Sequence, residues 1–324
     1  MADIAMKAVF LDFATMGAED LDPSPLTDFL PDLQIFDVTP EELTAERIRD
    51  AEFVFTNKIR LDDATLGDAK SLRFIGLTAT GTDNIDLSRA SEYGIAVCNI
   101  RAYCTQSVVE HVFAVMLNFT HSVSQYAQSV RMGEWQNSEN FCLLKYPIRE
   151  LSGMTLGLVG HGELGRAVEK MARAFSMKVL IARRPGAPAA DDDGRTELRD
   201  VLRRADVVTL HCPLTDATRS LIGEEQLHLM KPNAILINTA RGGLVDSAAL
   251  ATALKEGRIG AAALDVLPKE PPTAGNPLLD YDGPNLIITP HIAWGTIEAR
   301  QNALNELAAN VDAFLKGEKR NRVV

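Results

Sequence analysis

The stretch GLVGHGELGRAV at residues 157–168 restricts the fold of this chain more than any other. An apolar run enters it, three glycines follow at G-x-G-x-x-G spacing, and a helical pattern leaves it. In that order the stretch reads as the turn of a βαβ unit that binds a dinucleotide. Gly160 permits the tight turn, Gly162 lets a pyrophosphate reach the backbone, and Gly165 lets the helix pack close to the strand. The helix N-terminus then offers N–H groups and partial positive charge to the phosphates. His161 reads as a spacer within the turn rather than a catalyst.

Such a turn needs a sheet around it. TLGLV (155–159), KVLI (178–181), DVVTL (206–210), AILI (234–237), GAAALD (260–265) and LIIT (286–289) read as six strands, with a helix after each of the first five. That is the requirement of a full doubly wound dinucleotide domain. Upstream, AVFL (8–11), QIF (34–36), FVF (53–55), FIGL (74–77) and IAVC (95–98) alternate with helical patterns at 40–49, 61–69 and 87–93. This predicts a second, smaller α/β unit with a parallel sheet covered on both faces. A chain of 324 residues is long enough for two cores.

Between the two series, residues 104–132 read as one long helical stretch, with Val108, Val112, Val115 and Phe119 at helical spacing. Residues 133–149 show no period and read as an irregular arm. Its Trp135, Phe141 and Tyr146 cover either the chain's own core or a subunit partner. The last helix carries an apolar stripe, Ile297, Leu304, Leu307, Val311 and Phe314, and stops at Gly317. Residues 187–193 read as a surface loop.

The net charge of −11 repels nucleic acid and anionic membrane. No apolar stretch is long enough to cross a bilayer, and the N-terminus lacks the pattern of a signal peptide. Cys98, Cys104, Cys142 and Cys212 form neither a CxxC pair nor a zinc spacing, so no metal site is expected. Free, buried thiols in a reducing cytosol are the expectation, and with it a cytoplasmic location.

The second strand of the dinucleotide unit ends in Arg183 and Arg184. At this position an acid usually accepts from the adenosine ribose hydroxyls. Two guanidinium groups reverse the sign. They suit a 2′-phosphate, which one of them can hold through two parallel hydrogen bonds. The pair therefore predicts NADP(H) in preference to NAD(H).

Four further stretches carry a resemblance: TATGTDNID (78–86), LHCPLTDATRSLI (210–222), MKPNAILINTARGGLVD (230–246), and LDVLPKEPP (264–272) with TPHIAW (289–294). Together with the glycine turn they resemble, in order, the signature segments of the D-isomer-specific 2-hydroxyacid dehydrogenases. NIRAYCTQSVVEHVFAVML (99–117), FCLLKYPIREL (141–151) and HIAWGT (291–296) are most similar to the glycerate dehydrogenase and hydroxypyruvate reductase branch. The resemblance implies a Rossmann-type doubly wound cofactor domain at 101–291. It also implies a smaller flavodoxin-like α/β substrate domain at 1–100 and 292–324, with the substrate in the cleft between. A homodimer through the cofactor domains is implied as well.

The resemblance also assigns roles, and chemistry supports them. Arg241 suits a clamp that binds the substrate carboxylate and polarises the keto oxygen. His291 suits the acid/base, since histidine titrates near neutrality. Glu270 would hydrogen-bond the far ring nitrogen, fixing the tautomer and favouring imidazolium. A formate dehydrogenase would be expected to carry glutamine there. Ala79, Thr80 and Gly81 would bind the substrate carboxylate through N–H groups, with Asn57 and Lys58 bordering the pocket. Glu163 and Leu164 lie at the phosphate turn, and Cys212, Pro213 and Thr218 on the adenosine and ribose side. Thr239 and Asp265 would face the nicotinamide, Asp265 being alternatively a strand-end cap. Ser107 is a further cofactor candidate, and Trp294 would shape the substrate pocket or a subunit contact.

The expected function is reduction of hydroxypyruvate and glyoxylate to D-glycerate and glycolate with NADPH. Two alternatives stand beside it. One is an NAD-dependent dehydrogenase of another D-2-hydroxy acid. The other is a nucleotide-sensing binding protein like the corepressors that share this fold.

Overall fold

Strands buried on both faces organise the first of two units, Met1–Cys104 with Trp294–Val324. The computed structural model describes residues 6–186 and 194–324, so the loop expected at 187–193 lies outside the described residues. Strands β1 (Ala8–Phe10), β2 (Leu33–Ile35), β3 (Phe53–Thr56), β4 (Phe74–Leu77) and β5 (Ala96–Cys98) pair in parallel in the order β2-β1-β3-β4-β5. That is the flavodoxin-like order. Phe10, Phe53, Phe55 and Phe74 share one core with Leu304, Leu307 and Val311 of the C-terminal helix Ile297–Leu315. Val9, Val54, Ile75 and Val97 share another with Ile48, Leu66 and Ala90. Alternate residues of each strand thus serve opposite faces, as the pleat requires.

Two details of this unit depart from expectation. Of the helix expected over 61–69 only Asp63–Leu66 forms, because Asp62 accepts from Thr65 N at 3.3 Å as a cap and Leu61 pairs with Ile85 in a parallel bridge. Ile297, at the head of the apolar stripe, is exposed. The chain end also has a structural task that no sequence signal marks. Val323 N donates to Val97 O at 2.7 Å and Asn99 N to Asn321 O at 3.2 Å, with an antiparallel bridge between Cys98 and Arg322. The tail thereby covers the edge of β5, which would otherwise present unpaired backbone groups.

The second unit is Thr105–Ala293. Its strands are β6 (Thr155–Val159), β7 (Lys178–Ala182), β8 (Arg195–Thr196), β9 (Val207–Leu210), β10 (Ile235–Asn238), β11 (Ala261–Leu264) and β12 (Leu286–Ile288). All pairings are parallel, in the order β12-β11-β10-β9-β6-β7-β8. The order turns around between β6 and β9, the switch point of a Rossmann sheet. One strand more forms than the six expected, since β8 is only two residues long and carries no apolar run. One helix fewer forms, since residues 265–285 hold five prolines and contain no helix.

The stretch expected as one helix over 104–132 is two, Thr105–His121 and Val123–Arg131. Ser122 breaks it with a left-handed φ of 51°, and Asn118 Oδ1 accepts from Ser124 N at 3.1 Å to start the next helix. Residues 133–149 have no regular structure. The thiols also differ from expectation. Cys98 is buried, which pushes its pKa up to about 11, but Cys104, Cys142 and Cys212 are only half-buried.

Candidate active site

The glycine turn follows β6. Gly160 has φ of 100°, and a Cβ there would lie 2.6 Å from Cys212 N, so the turn sits against the end of β9. A Cβ on Gly165 would run into the carbonyl of Gly160, while Gly162 has nothing within 4 Å. Two glycines are therefore demanded by close packing, and the middle one leaves the space that a pyrophosphate needs. The helix Glu163–Ala174 starts there, and the Thr105 hydroxyl donates to the Glu163 carboxylate. Leu164 is half-buried. His161 is more than a spacer: its Nε2 lies 2.6 Å from Glu169 Oε2, anchoring the turn to its own helix.

The segment after β9 faces the same turn. Thr218 is buried and its hydroxyl donates to Pro213 O at 2.7 Å while accepting from Thr215 N at 2.7 Å, which closes the loop. Pro213 is exposed, and burial pushes the Cys212 thiol up. His211, which sequence reasoning passed over, has its Nδ1 buried without a partner among the described residues and Nε2 2.9 Å from Thr209 Oγ1. Burial pushes its pKa down to about 4, so the ring is neutral.

The basic pair follows β7. Arg183 N donates to Thr196 O at 2.8 Å, which explains the short strand β8. Its side chain is 11% exposed, and Nε donates to Glu197 Oε1 at 2.8 Å, whereas Glu197 is 63% exposed. Arg184 is exposed. An acid thus stands beside the basic pair, supplied from fourteen residues downstream.

Arg241 follows β10 and is exposed. Its Nη1 donates to Ala240 O at 2.8 Å. The fully buried Asn238 shapes this turn, donating from Nδ2 to Arg241 O at 2.9 Å and accepting at Oδ1 from Ala240 N at 3.0 Å. Next comes Gly242, where a Cβ would collide with the backbone of Leu267 and Pro268. The Arg241 turn therefore lies directly on the loop that carries Glu270. The Thr239 hydroxyl oxygen is buried without a partner among the described residues, an unmet hydrogen bond beside the same turn.

Glu270 Oε1 accepts from Leu267 N at 2.8 Å, and its Oε2 lies 2.6 Å from His291 Nδ1. A carboxylate can only accept, so Nδ1 carries the proton of that bond. His291 stands in the left-handed region, with φ of 56°. Asp265 organises the loop around it. Its backbone O accepts from His291 N at 2.8 Å; Oδ1 accepts from Thr289 Oγ1 at 2.5 Å and Ile292 N at 2.8 Å; Oδ2 accepts from Ala293 N at 2.8 Å. The strand-end cap is thus formed, and it fills most of the carboxylate's acceptor positions. Ser107 is buried and its hydroxyl donates to Ala293 O at 2.7 Å, so its proton is already engaged.

In the first unit the remaining candidates gather at the carboxyl ends of neighbouring strands β3 and β4. Asp12 accepts from Asn57 N at 2.9 Å and Lys58 N at 2.7 Å, and the buried Asn57 donates to Thr15 Oγ1 at 3.1 Å. Ala79, Thr80 and Gly81 form a tight loop after β4. Ala79 O accepts from Ile100 N at 3.1 Å, Thr80 O from Asn99 Nδ2 at 2.8 Å, and Thr80 Oγ1 donates to Ile100 O at 3.0 Å. Trp294 is half-buried and meets the Tyr103 ring edge-on at 6.2 Å. Asp12 and Asn238 hold these turns in place, and neither was singled out from sequence: a buried polar residue at a strand end has no local signature.

Among the described residues no cluster of three or more His, Cys, Asp or Glu side chains is placed to hold a metal, and no helix is long and apolar enough to cross a membrane. A family model described as D-isomer specific 2-hydroxyacid dehydrogenase, NAD binding domain, matches residues 113–293. The chain is 47% identical over 285 residues to a glycerate dehydrogenase of Methylorubrum extorquens, covering 88% of this chain and 89% of that one. It is 36% identical over 323 residues to a hydroxypyruvate reductase of Blautia hydrogenotrophica, covering 98% and 99%. An NADPH-dependent glyoxylate/hydroxypyruvate reductase of Sinorhizobium meliloti, solved with citrate, superposes with a TM-score of 0.81 at 26% identity over 98% of each chain.

Proposed function

Because the chain belongs to the D-isomer specific 2-hydroxyacid dehydrogenase family, we propose that it reduces hydroxypyruvate and glyoxylate to D-glycerate and glycolate, with NADPH ahead of NADH. The observation that carries this reading is the His291–Glu270 pair at 2.6 Å, on a loop that abuts the Arg241 turn. The names of the relatives point to the same substrates.

The dinucleotide fits the open space at Gly162 and the orphaned hydroxyl of Thr239. Residues 160–165 would hold its pyrophosphate, Cys212, Pro213 and Thr218 its adenosine side, and Thr239, Asp265 and Ser107 would border the nicotinamide. When bound, the reduced nicotinamide supplies the hydride. Arg241 grips the substrate carboxylate through paired hydrogen bonds and polarises the keto oxygen. His291 gives that oxygen a proton from Nε2 during reduction and takes one back during oxidation. Glu270 holds Nδ1–H and so fixes which nitrogen exchanges the proton. Within the first unit, Asn57 and the N–H groups of residues 79–81 are the candidates for substrate contact.

The preference for NADPH rests on Arg183 and Arg184, and the Sinorhizobium meliloti neighbour is itself described as NADPH-dependent. A homodimer is part of the proposal. Phe141 is 92% exposed, and Trp135, Leu144 and Ile148 of the same arm are exposed with it, an apolar surface suited to a second copy. The four free thiols fit a cytoplasmic location.

Steady-state reduction of hydroxypyruvate, glyoxylate and pyruvate, each with NADPH and NADH, tests the proposal. Turnover is expected with the first two, fastest with NADPH. No turnover of any 2-keto acid by protein that binds the dinucleotide would overturn it.

A further inference from the structure

The loop that carries His291 is gripped on both sides by one helix. Ser107 and His111 stand four residues apart on Thr105–His121, so they share one helix face. The Ser107 hydroxyl donates to Ala293 O at 2.7 Å, two residues after His291. His111 Nε2 lies 3.3 Å from Thr289 Oγ1, two residues before it.

The direction of the second bond follows from counting hydrogens. Thr289 has one hydroxyl proton, and it goes to Asp265 Oδ1 at 2.5 Å. Toward His111 the same oxygen can therefore only accept, so His111 carries its proton on Nε2 and donates. The chain of donation runs from His111 through Thr289 to Asp265, whose carboxylate also takes the N–H groups of Ile292 and Ala293. His291 between these anchors has φ of 56°. A non-glycine residue in that region persists only where its surroundings hold it.

We propose that His111 is a positioning residue: by donating to Thr289 it keeps the 289–293 loop in the conformation that sets His291 against Glu270. This rests on the reading of His291 as the acid/base. Ser107 holds the far end of the loop, so loss of His111 weakens the near end alone, leaving Thr289 to the Asp265 carboxylate and the Leu264 carbonyl. A small misplacement of a reacting group lowers the chemical step far more than it lowers binding.

The test compares His111→Leu with His111→Gln, whose side-chain amide offers an N–H donor at similar reach. The leucine variant is expected to lose about tenfold or more in kcat for hydroxypyruvate, with the KM for NADPH little changed. The glutamine variant is expected to recover most of that loss. With both variants melting cooperatively, wild-type kcat in the leucine variant overturns the inference, and so does glutamine performing no better than leucine. If His111→Leu fails to fold, His111→Phe removes the donor while keeping a ring and leaves the bond from Thr289 to Asp265 intact; a comparable loss of kcat supports the inference and unchanged kcat overturns it. His291→Asn separates the two readings. Turnover that survives it overturns the acid/base assignment, whereas its loss alongside full turnover in His111→Leu overturns the positioning role alone.

Discussion

Asn238 Nδ2 donates to the carbonyl oxygen of Arg241 at 2.9 Å, and Asn238 Oδ1 accepts from Ala240 N at 3.0 Å. One buried amide thus determines the course of the turn that presents the guanidinium. Asn238→Ala leaves an N–H and a C=O of this part-buried turn without their partner, a cost that approaches about 1–3 kcal/mol only for a group that water cannot reach. The expected outcome is a KM for hydroxypyruvate raised about tenfold or more, with a lowered urea midpoint. An unchanged KM would show that the turn holds without the amide.

Arg241→Lys keeps the charge but loses the planar fork. Two parallel hydrogen bonds to a carboxylate become one point contact. We expect kcat/KM for hydroxypyruvate to fall by about a hundredfold, on the order of 3 kcal/mol, while NADPH affinity measured by fluorescence titration stays within experimental scatter. Equal losses for substrate and dinucleotide would assign the residue elsewhere.

Glu197 offers a test of coenzyme choice that leaves the basic pair intact. Its carboxylate accepts from Arg183 Nε at 2.8 Å and would stand near a 2′-phosphate as a like charge. Glu197→Gln keeps an acceptor and removes the charge, so KM for NADPH is expected to fall a few-fold and KM for NADH to stay. Arg183→Asp should act in the opposite direction and more strongly, by about 10–100-fold in kcat/KM for NADPH, since a hydrogen bond to a charged group contributes roughly 1.5–3 kcal/mol. Equal use of both coenzymes by the wild type would remove the basis of both expectations.

His211 links stability to pH. Burial lowers its pKa from 6.5 to about 4 in the folded protein. Between those values the unfolded chain binds a proton that the folded chain does not. Stability from this group is therefore complete above pH 6.5 and is lost progressively as pH falls toward 4. The full loss is about 3 kcal/mol. Urea midpoints measured across that window should fall with acidification, and His211→Gln should flatten the slope. A wild-type midpoint that does not move across the window would refute the assignment.

The arm at 133–149 predicts the assembly. Phe141 is almost wholly exposed in a single chain. Sedimentation should show a dimer for the wild type and a shift toward monomer for Phe141→Asp, with dinucleotide binding retained. A monomeric wild type at micromolar concentration would end this part of the proposal.

Much of this protein is determined by local patterning. The alternation of Phe53-Val54-Phe55 already assigns each side chain to a face of the sheet, and the spacing of Gly160, Gly162 and Gly165 already implies strand, turn and helix. These signals are short-range, because period and steric exclusion act between residues a few positions apart. Arg241, Glu270 and His291 were legible for another reason: each stands in a motif long enough to resemble a family. Tertiary structure alone decided what joins them. That Gly242 lies on Leu267 and Pro268, that Asp265 gathers the backbone of residues 291–293, that His111 reaches Thr289 across 178 positions, and that the last residues cover β5 all depend on segments distant in sequence. Buried polar groups must find partners wherever the fold brings them, and that requirement is met in three dimensions, beyond the reach of any local pattern.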